Sequence, residues 1–221
     1  MGQGLKDVGA NNGGTLMSRC LLTQSLLNSW LYTFKARDGN EDAAQADFID
    51  VLNRVERPPN EAMTAGIHFE SVVNAIVDKK AVKTDWIQSI GDTKGAEAIA
   101  KIVSGGQPQA ALHKDKTING INFLLYGKLD YLKAGTIYDI KYSKTYEAGK
   151  YLSSIQHPFY FELCPDALWF EYLVSNGSDV FVERYTREAT ERIDAMVEEF
   201  IAYLYETKLD SVYFDKWVAR D

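Results

Sequence analysis

Asp130 and Asp139 stand on the two arms of the stretch GKLDYLKAGTIYDIKYSK, residues 127–144, with Lys128 and Lys141 flanking them. If the chain turns over Lys133 to Thr136, Leu132 pairs with Ile137, Asp130 falls opposite Asp139 and Lys128 falls opposite Lys141. Side chains alternate along a strand, so these four charges share one face. Leu129, Tyr131, Tyr138 and Ile140 share the other, which is the expected core face. Opposed residues hold their Cβ atoms roughly 5 Å apart, a spacing at which like charges destabilise a sheet. A divalent cation compensates both carboxylates at once, and carboxylate oxygens are the hard donors that Mg²⁺ or Mn²⁺ takes. A slip of one residue would break the pairing, but hydrophobic alternation in both arms favours this register.

A third acid comes from AMTAGIHFESVVNAIV, where helical spacing puts Glu70 on one side with Ile67, Val73 and Val77. Its carboxylate is therefore expected to point toward an apolar interior. An isolated charge there is costly and is relieved by protonation, by a salt bridge or by a metal ion. Lys128 is the candidate ion-pair partner, and such structural pairs are the commoner reason for a buried charge. His68, two residues earlier, is a competing auxiliary group.

The elements that must position these groups can be read from periodicity. Thr23 to Ala36 has apolar residues at helical spacing with Thr23 or Ser25 as cap, and a second helical stretch runs around Ala43 to Val55 until Arg57-Pro58-Pro59 stops it. Asn60 caps a helix from about Glu61 to Lys79, and another is expected at Thr93 to Val103, ended by Gly105-Gly106. AALHKDKTI, INFLLYGKLDYL and TIYDIKYSK then alternate with period two, as strands do. YEAGKYLSSIQHPFYFEL returns to helix, ALWFEYLVS and DVFVERYT form a strand pair around NGSD, and REATERIDAMVEEFIAYLYET reads as a long C-terminal helix. This order predicts an α/β core with a central mixed sheet flanked by helices and an N-terminal helical extension.

With 221 residues, 46% of them hydrophobic and 25% charged, the chain has the composition of one globular domain, expected over 19–221 behind a disordered leader over 1–18. No apolar run reaches a membrane span and the start lacks the apolar centre of a secretory signal, so a cytoplasmic protein without a membrane partner is expected. Cys20 and Cys164 are too few for a self-contained four-cysteine zinc or iron–sulfur site. His113 and His157 show no ligand spacing together, and no phosphate-cradling glycine loop of the ATPase type is present. The net charge of −7 argues against broad electrostatic adhesion to nucleic acid, though it leaves room for a local basic groove. Lys79, Lys80, Lys83, Lys144 and Lys150 are candidates for such a groove, each with solvated surface charge as the ordinary alternative.

Taken in order, Glu70, then GKLD with Asp130, then YDIK with Asp139 and Lys141, resembles the PD-(D/E)xK nuclease superfamily of restriction-endonuclease-like fold, and more closely its RecB-type and lambda-exonuclease-type branches. Gly66 stands four residues before Glu70 as the family pattern has it, and Leu129 replaces the proline of the family name. QHPFY matches the Gln-x-x-x-Tyr block of RecB-type relatives with Gln156 and Tyr160, so the resemblance spans residues 66 to 160. The opening helix and RVERPPNEAMTAGIHFE also look like prophage-encoded members, without the iron–sulfur cluster that some relatives carry. The resemblance implies a metal-dependent DNA exonuclease of phage recombination or repair. Glu70, Asp130, Asp139 and the Ile140 carbonyl would hold Mg²⁺ or Mn²⁺, Lys141 would polarise the attacking water, and Gln156 and Tyr160 would contact substrate. It further implies DNA as partner, a ring-like homo-oligomer and a single-strand annealing protein working beside it. An endonuclease cutting flaps or branches, and a non-catalytic DNA-binding or interaction module on the same fold, are the alternatives.

Overall fold

The computed structural model describes residues 19–220, so the leader expected over 1–18 lies outside the described residues. The chain starts with β1 (Cys20–Thr23) and the helices α1 (Gln24–Lys35), α2 (Glu41–Leu52), α3 (Glu61–Val77), α4 (Thr84–Ile90) and α5 (Lys94–Val103). The strands β2 (Gln107–Pro108), β3 (Ala111–Ile118), β4 (Ile121–Lys128), β5 (Tyr131–Lys133) and β6 (Thr136–Tyr142) follow. Then come α6 (Gln156–Leu163), β7 (Trp169–Ser175), β8 (Val180–Thr186), α7 (Asp194–Glu206) and α8 (Asp210–Lys216). Among the described residues the strands form two mixed sheets, in the orders β1-β4-β3 and β2-β5-β6-β7-β8. The chain is thus α/β with mixed sheets flanked by helices, consistent with the restriction-endonuclease-like expectation.

The two sheets are one bent strand pair at their junction. β3 pairs with β4 and β2 with β5, and between them Leu129 N–H donates to the Ala110 carbonyl and Gln109 N–H to the Asp130 carbonyl, both at 2.9 Å. The predicted hairpin register holds where β5 meets β6, with Tyr131 opposite Tyr138, Leu132 opposite Ile137 and Lys133 opposite Thr136. The bend ends that ladder before Lys128, which is exposed and pairs with Ala111 on β3, so the predicted Lys128–Lys141 opposition does not occur.

The expectation of one core face and one charged face also needs correction. β6 runs parallel to β7, and that pair is covered on both sides, as parallel strands usually are. Tyr131, Ile140 and Leu173 pack with Phe69, Val72 and Val73 of α3 and with Ile99 and Val103 of α5. Leu129, Ile137, Phe170, Tyr172 and Val174 pack on the other side with α6, α7 and the N-terminal helices. Leu129 and Tyr131 therefore enter different cores, because the strand bends between them.

Several helix boundaries differ from the periodic reading. The helix expected from Tyr146 starts only at Gln156, and the C-terminal helix expected over 187–207 starts only at Asp194, with α8 as a further, unexpected helix beyond it. Arg187 accounts for the late start of α7: its guanidinium donates to the backbone carbonyls of Cys164 and Ala167, which holds the chain in a turn. β1 and α4 were not expected. Among the described residues no helix is long and apolar enough to cross a membrane.

Candidate active site

Three acids reach the bend from different elements. α3 is capped by Asn60, whose side chain accepts from Met63 N–H, and it carries Glu70 at the border of its buried stripe. Ile67, expected beside Glu70 in the interior, is 53% exposed, so Glu70 flanks the apolar face and is half-buried. Glu70 Oε1 accepts from Gln109 Nε2 at 2.7 Å and more distantly from Asn74 Nδ2 at 3.5 Å. Its partner is an amide, not Lys128. Tyr131 extends this chain by donating its hydroxyl to Asn74 Oδ1 at 2.5 Å, and burial, with Asp78 and Glu70 nearby, pushes its phenol up to about 12.

Asp130 sits at the bend, with Oδ2 accepting from Ile140 N–H at 2.8 Å. Burial, then the neighbouring Asp139 and Glu70 charges, drive its carboxyl well above the ordinary aspartate range, against the opposing pull of Ile140 N–H and Lys141. Asp139 is 6% exposed. Its Oδ1 accepts from Gln156 Nε2 at 2.8 Å, while Oδ2 is buried without a hydrogen-bond partner. Lys141 Nζ lies 2.8 Å from that oxygen, close enough for an ion pair but not aligned as a hydrogen bond. Burial acts against the Lys141 charge, yet the Asp139 and Asp130 carboxylates outweigh it and raise the ammonium above its usual range.

Gln156 opens α6, and Pro158 falls in the first turn of that helix, where the missing N–H costs no internal bond. Gln156 therefore aims at Asp139. Tyr160, one turn on, is 7% exposed and donates its hydroxyl to the Lys128 carbonyl at 2.9 Å, so here it braces the GKLD strand. A Cβ at Gly127 would lie 2.6 Å from Tyr160 Cε1 and 2.9 Å from Leu163 Cδ1. Gly127→Ala is accordingly expected to lower stability by about 1–3 kcal/mol, read as a lower denaturant midpoint at unchanged slope, and an unaltered midpoint would contradict this packing.

Residues 143–155 link Lys141 to Gln156 without regular structure, and Glu183 on β8 fixes them. Its carboxylate accepts from Tyr146 OH at 2.8 Å, Gly149 N–H at 3.0 Å, Tyr151 N–H at 3.3 Å and Tyr185 OH at 2.7 Å. Burial alone would raise its pKa, but these donors lower it. Tyr151 stacks on Tyr172 at 4.3 Å, and His157 stacks on Tyr185 at 4.1 Å with its Nδ1 3.2 Å from Tyr172 OH.

Burial, partly offset by Glu183, lowers the His157 imidazole to about 4. The unfolded residue titrates near 6.5, so between those values only the unfolded chain takes up the proton. The stability that His157 contributes is complete above about pH 6.5 and declines by about 3 kcal/mol as pH falls toward 4. Melts between about pH 7.5 and 5 should show this slope in the wild type and a shallower one in His157→Phe. Parallel curves would remove His157 as its source.

His68 and Lys128 stand apart from this cluster. The His68 ring lies 6.4 Å from Trp86 of α4, with Nδ1 buried and unpartnered. Lys80 pairs with Asp78, Lys83 lies 4.8 Å over the Trp86 ring, and Lys150 donates to Ser143 Oγ at 3.1 Å. Lys144 is exposed and lines a groove of about 650 Å³ with Pro59, Thr64, Ser89 and Tyr142, between the start of α3 and the end of β6.

In donor chemistry the acids fit a hard divalent cation. Glu70, Asp130 and Asp139 each hold a protein hydrogen bond on one oxygen, and Asp139 has a buried oxygen left without one. The set is gathered but not closed: among the described residues no three Asp, Glu, His or Cys side chains converge as a ready-made metal group. Lys141 instead supplies the positive charge at Asp139.

No family model matches the chain, and no curated protein matches it either. Among solved structures it is similar to SSO0001, at a TM-score of 0.51 and 9% identity over 86% of this chain and 79% of that one. It is also similar to LHK-Exo in complex with dAMP, with a TM-score of 0.37 and 16% identity over 90% and 88% of the two chains. The SSO0001 likeness is one of fold.

Gln109, Asn74 and Glu183 were absent from the sequence reading. Glu183 left a signal, since it shares strand parity with the inward Phe181 and Tyr185, and a charge at such a position needs partners. Asn74 lies four residues after Glu70, a spacing that brings helical side chains together. Gln109, after Gly-Gly-Gln-Pro, left none.

Proposed function

We propose that this chain is a Mg²⁺- or Mn²⁺-dependent deoxyribonuclease acting as an exonuclease. The observation that carries the reading is the Asp130–Asp139–Lys141 cluster, in which two repelling carboxylates, one of them the buried Asp139 with an oxygen that no hydrogen bond satisfies, adjoin a lysine whose charge is reinforced. Glu70, Asp130, Asp139 and the Ile140 carbonyl would hold the ion. When bound, the ion supplies neutralising charge at the phosphate and lowers the pKa of a water. Lys141 Nζ would orient the attacking water, which gives up a proton to solvent as its oxygen bonds to phosphorus and the bond to the leaving oxygen breaks, and the leaving oxygen takes up a proton from solvent. Gln156 would hold Asp139 for this, and Tyr160 would keep the GKLD strand in place rather than touch substrate.

The groove at Lys144 would guide a DNA strand toward Lys141, three residues away along the chain. A role in phage recombination or repair in the cytoplasm, with a homo-oligomeric ring and an annealing protein as partners, completes the proposal. One observation favours the non-catalytic alternative, namely that the acids do not already form a closed metal group. Digestion of end-labelled linear and covalently closed DNA with Mg²⁺, Mn²⁺ or EDTA separates the readings. Metal-dependent attack on linear DNA alone supports the exonuclease, cutting of closed circles indicates an endonuclease, and inert DNA in every condition leaves the non-catalytic module.

A further inference from the structure

We infer that Gln109 is a positioning residue that fixes Glu70 and Asp130 relative to one another, an inference that rests on reading these acids as a cation site. Glu70 comes from α3 and Asp130 from the bend of the sheet, so nothing in either element alone sets the distance between them. Gln109 touches both. Its Nε2 donates to Glu70 Oε1 at 2.7 Å, and its own N–H donates to the Asp130 carbonyl at 2.9 Å.

The backbone gives an independent sign. Gln109 has φ of 52°, in the left-handed region that glycine, asparagine and aspartate tolerate best. Other non-glycine residues of this kind have ordinary reasons: Arg54, Lys79 and Lys208 follow the ends of α2, α3 and α7, Asp38 stands in the Asp38-Gly39 turn between α1 and α2, and Asn119 and Ala134 sit in hairpin turns. Among the described residues Gln109 alone takes this conformation between two strand segments that continue the same pairing. A glycine would make the bend without strain, so the bend does not explain the glutamine. Its amide on Glu70 does, and strain of this kind concentrates where a site needs a group held in place.

The left-handed backbone also separates a structural role from a positioning one. Gln109→Gly keeps the bend, relieves the strain and removes the amide; Gln109→Ala removes the amide and keeps the strain. Mn²⁺ is titrated calorimetrically into EDTA-stripped wild type, Gln109→Gly, Gln109→Ala and Asp130→Asn, each paired with a metal-free melt. The expected result is a melting temperature for Gln109→Gly at or above that of the wild type, together with Mn²⁺ affinity reduced about 10–100-fold, the usual effect of losing a group that orients a ligand. Gln109→Ala should lose the same affinity and melt lower. Wild-type affinity in Gln109→Gly overturns the role of Gln109 while leaving the cation site standing. A fall in affinity matched by a lower melting temperature in Gln109→Gly makes it a structural prop and also overturns the inference. Wild-type protein that binds Mn²⁺ no better than Asp130→Asn removes the cation site and the inference with it.

Discussion

In Lys141→Ala, cleavage of labelled linear DNA should fall about a thousandfold or more, equivalent to about 4 kcal/mol of transition-state stabilisation. The ammonium lies 2.8 Å from Asp139 Oδ2, beside the carboxylates proposed to hold the ion. The same change should also destabilise the metal-free protein, because Asp139 is left buried with an oxygen that has neither a hydrogen bond nor an ion pair. Breaking a fully buried pair costs about 3–5 kcal/mol, but Lys141 keeps 30% of its side chain exposed, which reduces the expected loss to about 1–3 kcal/mol. Mn²⁺ should return part of that stability by replacing the missing charge, while activity stays lost. A melt in the presence and absence of Mn²⁺ checks this, and a variant that cleaves like the wild type contradicts the role given to Lys141.

Asp130→Asn should separate activity from stability in the opposite sense. Cleavage is expected to fall about a thousandfold, since a ligand of the ion is lost. Without metal the protein should melt higher than wild type. The Asp130 carboxyl is raised in the folded state by burial and by Asp139 and Glu70, so at neutral pH folding must either keep an unfavourable charge or take up a proton. The penalty is absent below the unfolded value near 3.9 and grows as pH rises above it. Asparagine removes it and can still accept from Ile140 N–H. Relief on the order of 1 kcal/mol raises the melting temperature by about 2–4 °C. A clear drop in the metal-free melt would mean that Asp130 is stabilised as a charge, against the repulsion described above.

Much of this site could be read before the fold was known, because strand alternation and the Ala134-Gly135 turn fix the register from Tyr131–Lys133 to Thr136–Tyr138. What alternation could not show is that β6 is covered on both faces, since its parallel neighbour β7 lies beyond α6 and about thirty residues along the chain. The charged face thereby became an interior one, and Asp139 a buried group. The bend at Asp130 was equally hidden, because it depends on a left-handed Gln109 at a position with no glycine to announce it. Helical spacing placed Glu70 near the right stripe of α3, but the true apolar face is Phe69, Val72 and Val73, which turns Ile67 outward and Glu70 to the border. YEAGKYLSSIQHPFYFEL reads as one helix, but α6 begins only at Gln156 with Pro158 in its first turn, and from that start Gln156 reaches Asp139.

Anomalous diffraction at the manganese edge, from crystals grown with Mn²⁺, tests the cation site most directly. A peak about 2.1 Å from carboxylate oxygens of both Asp130 and Asp139, with Glu70 in its coordination sphere directly or through water, is the predicted result. Manganese bound only elsewhere, with Lys141 still resting on Asp139 Oδ2, would contradict it and leave the lysine as the sole compensation for these acids.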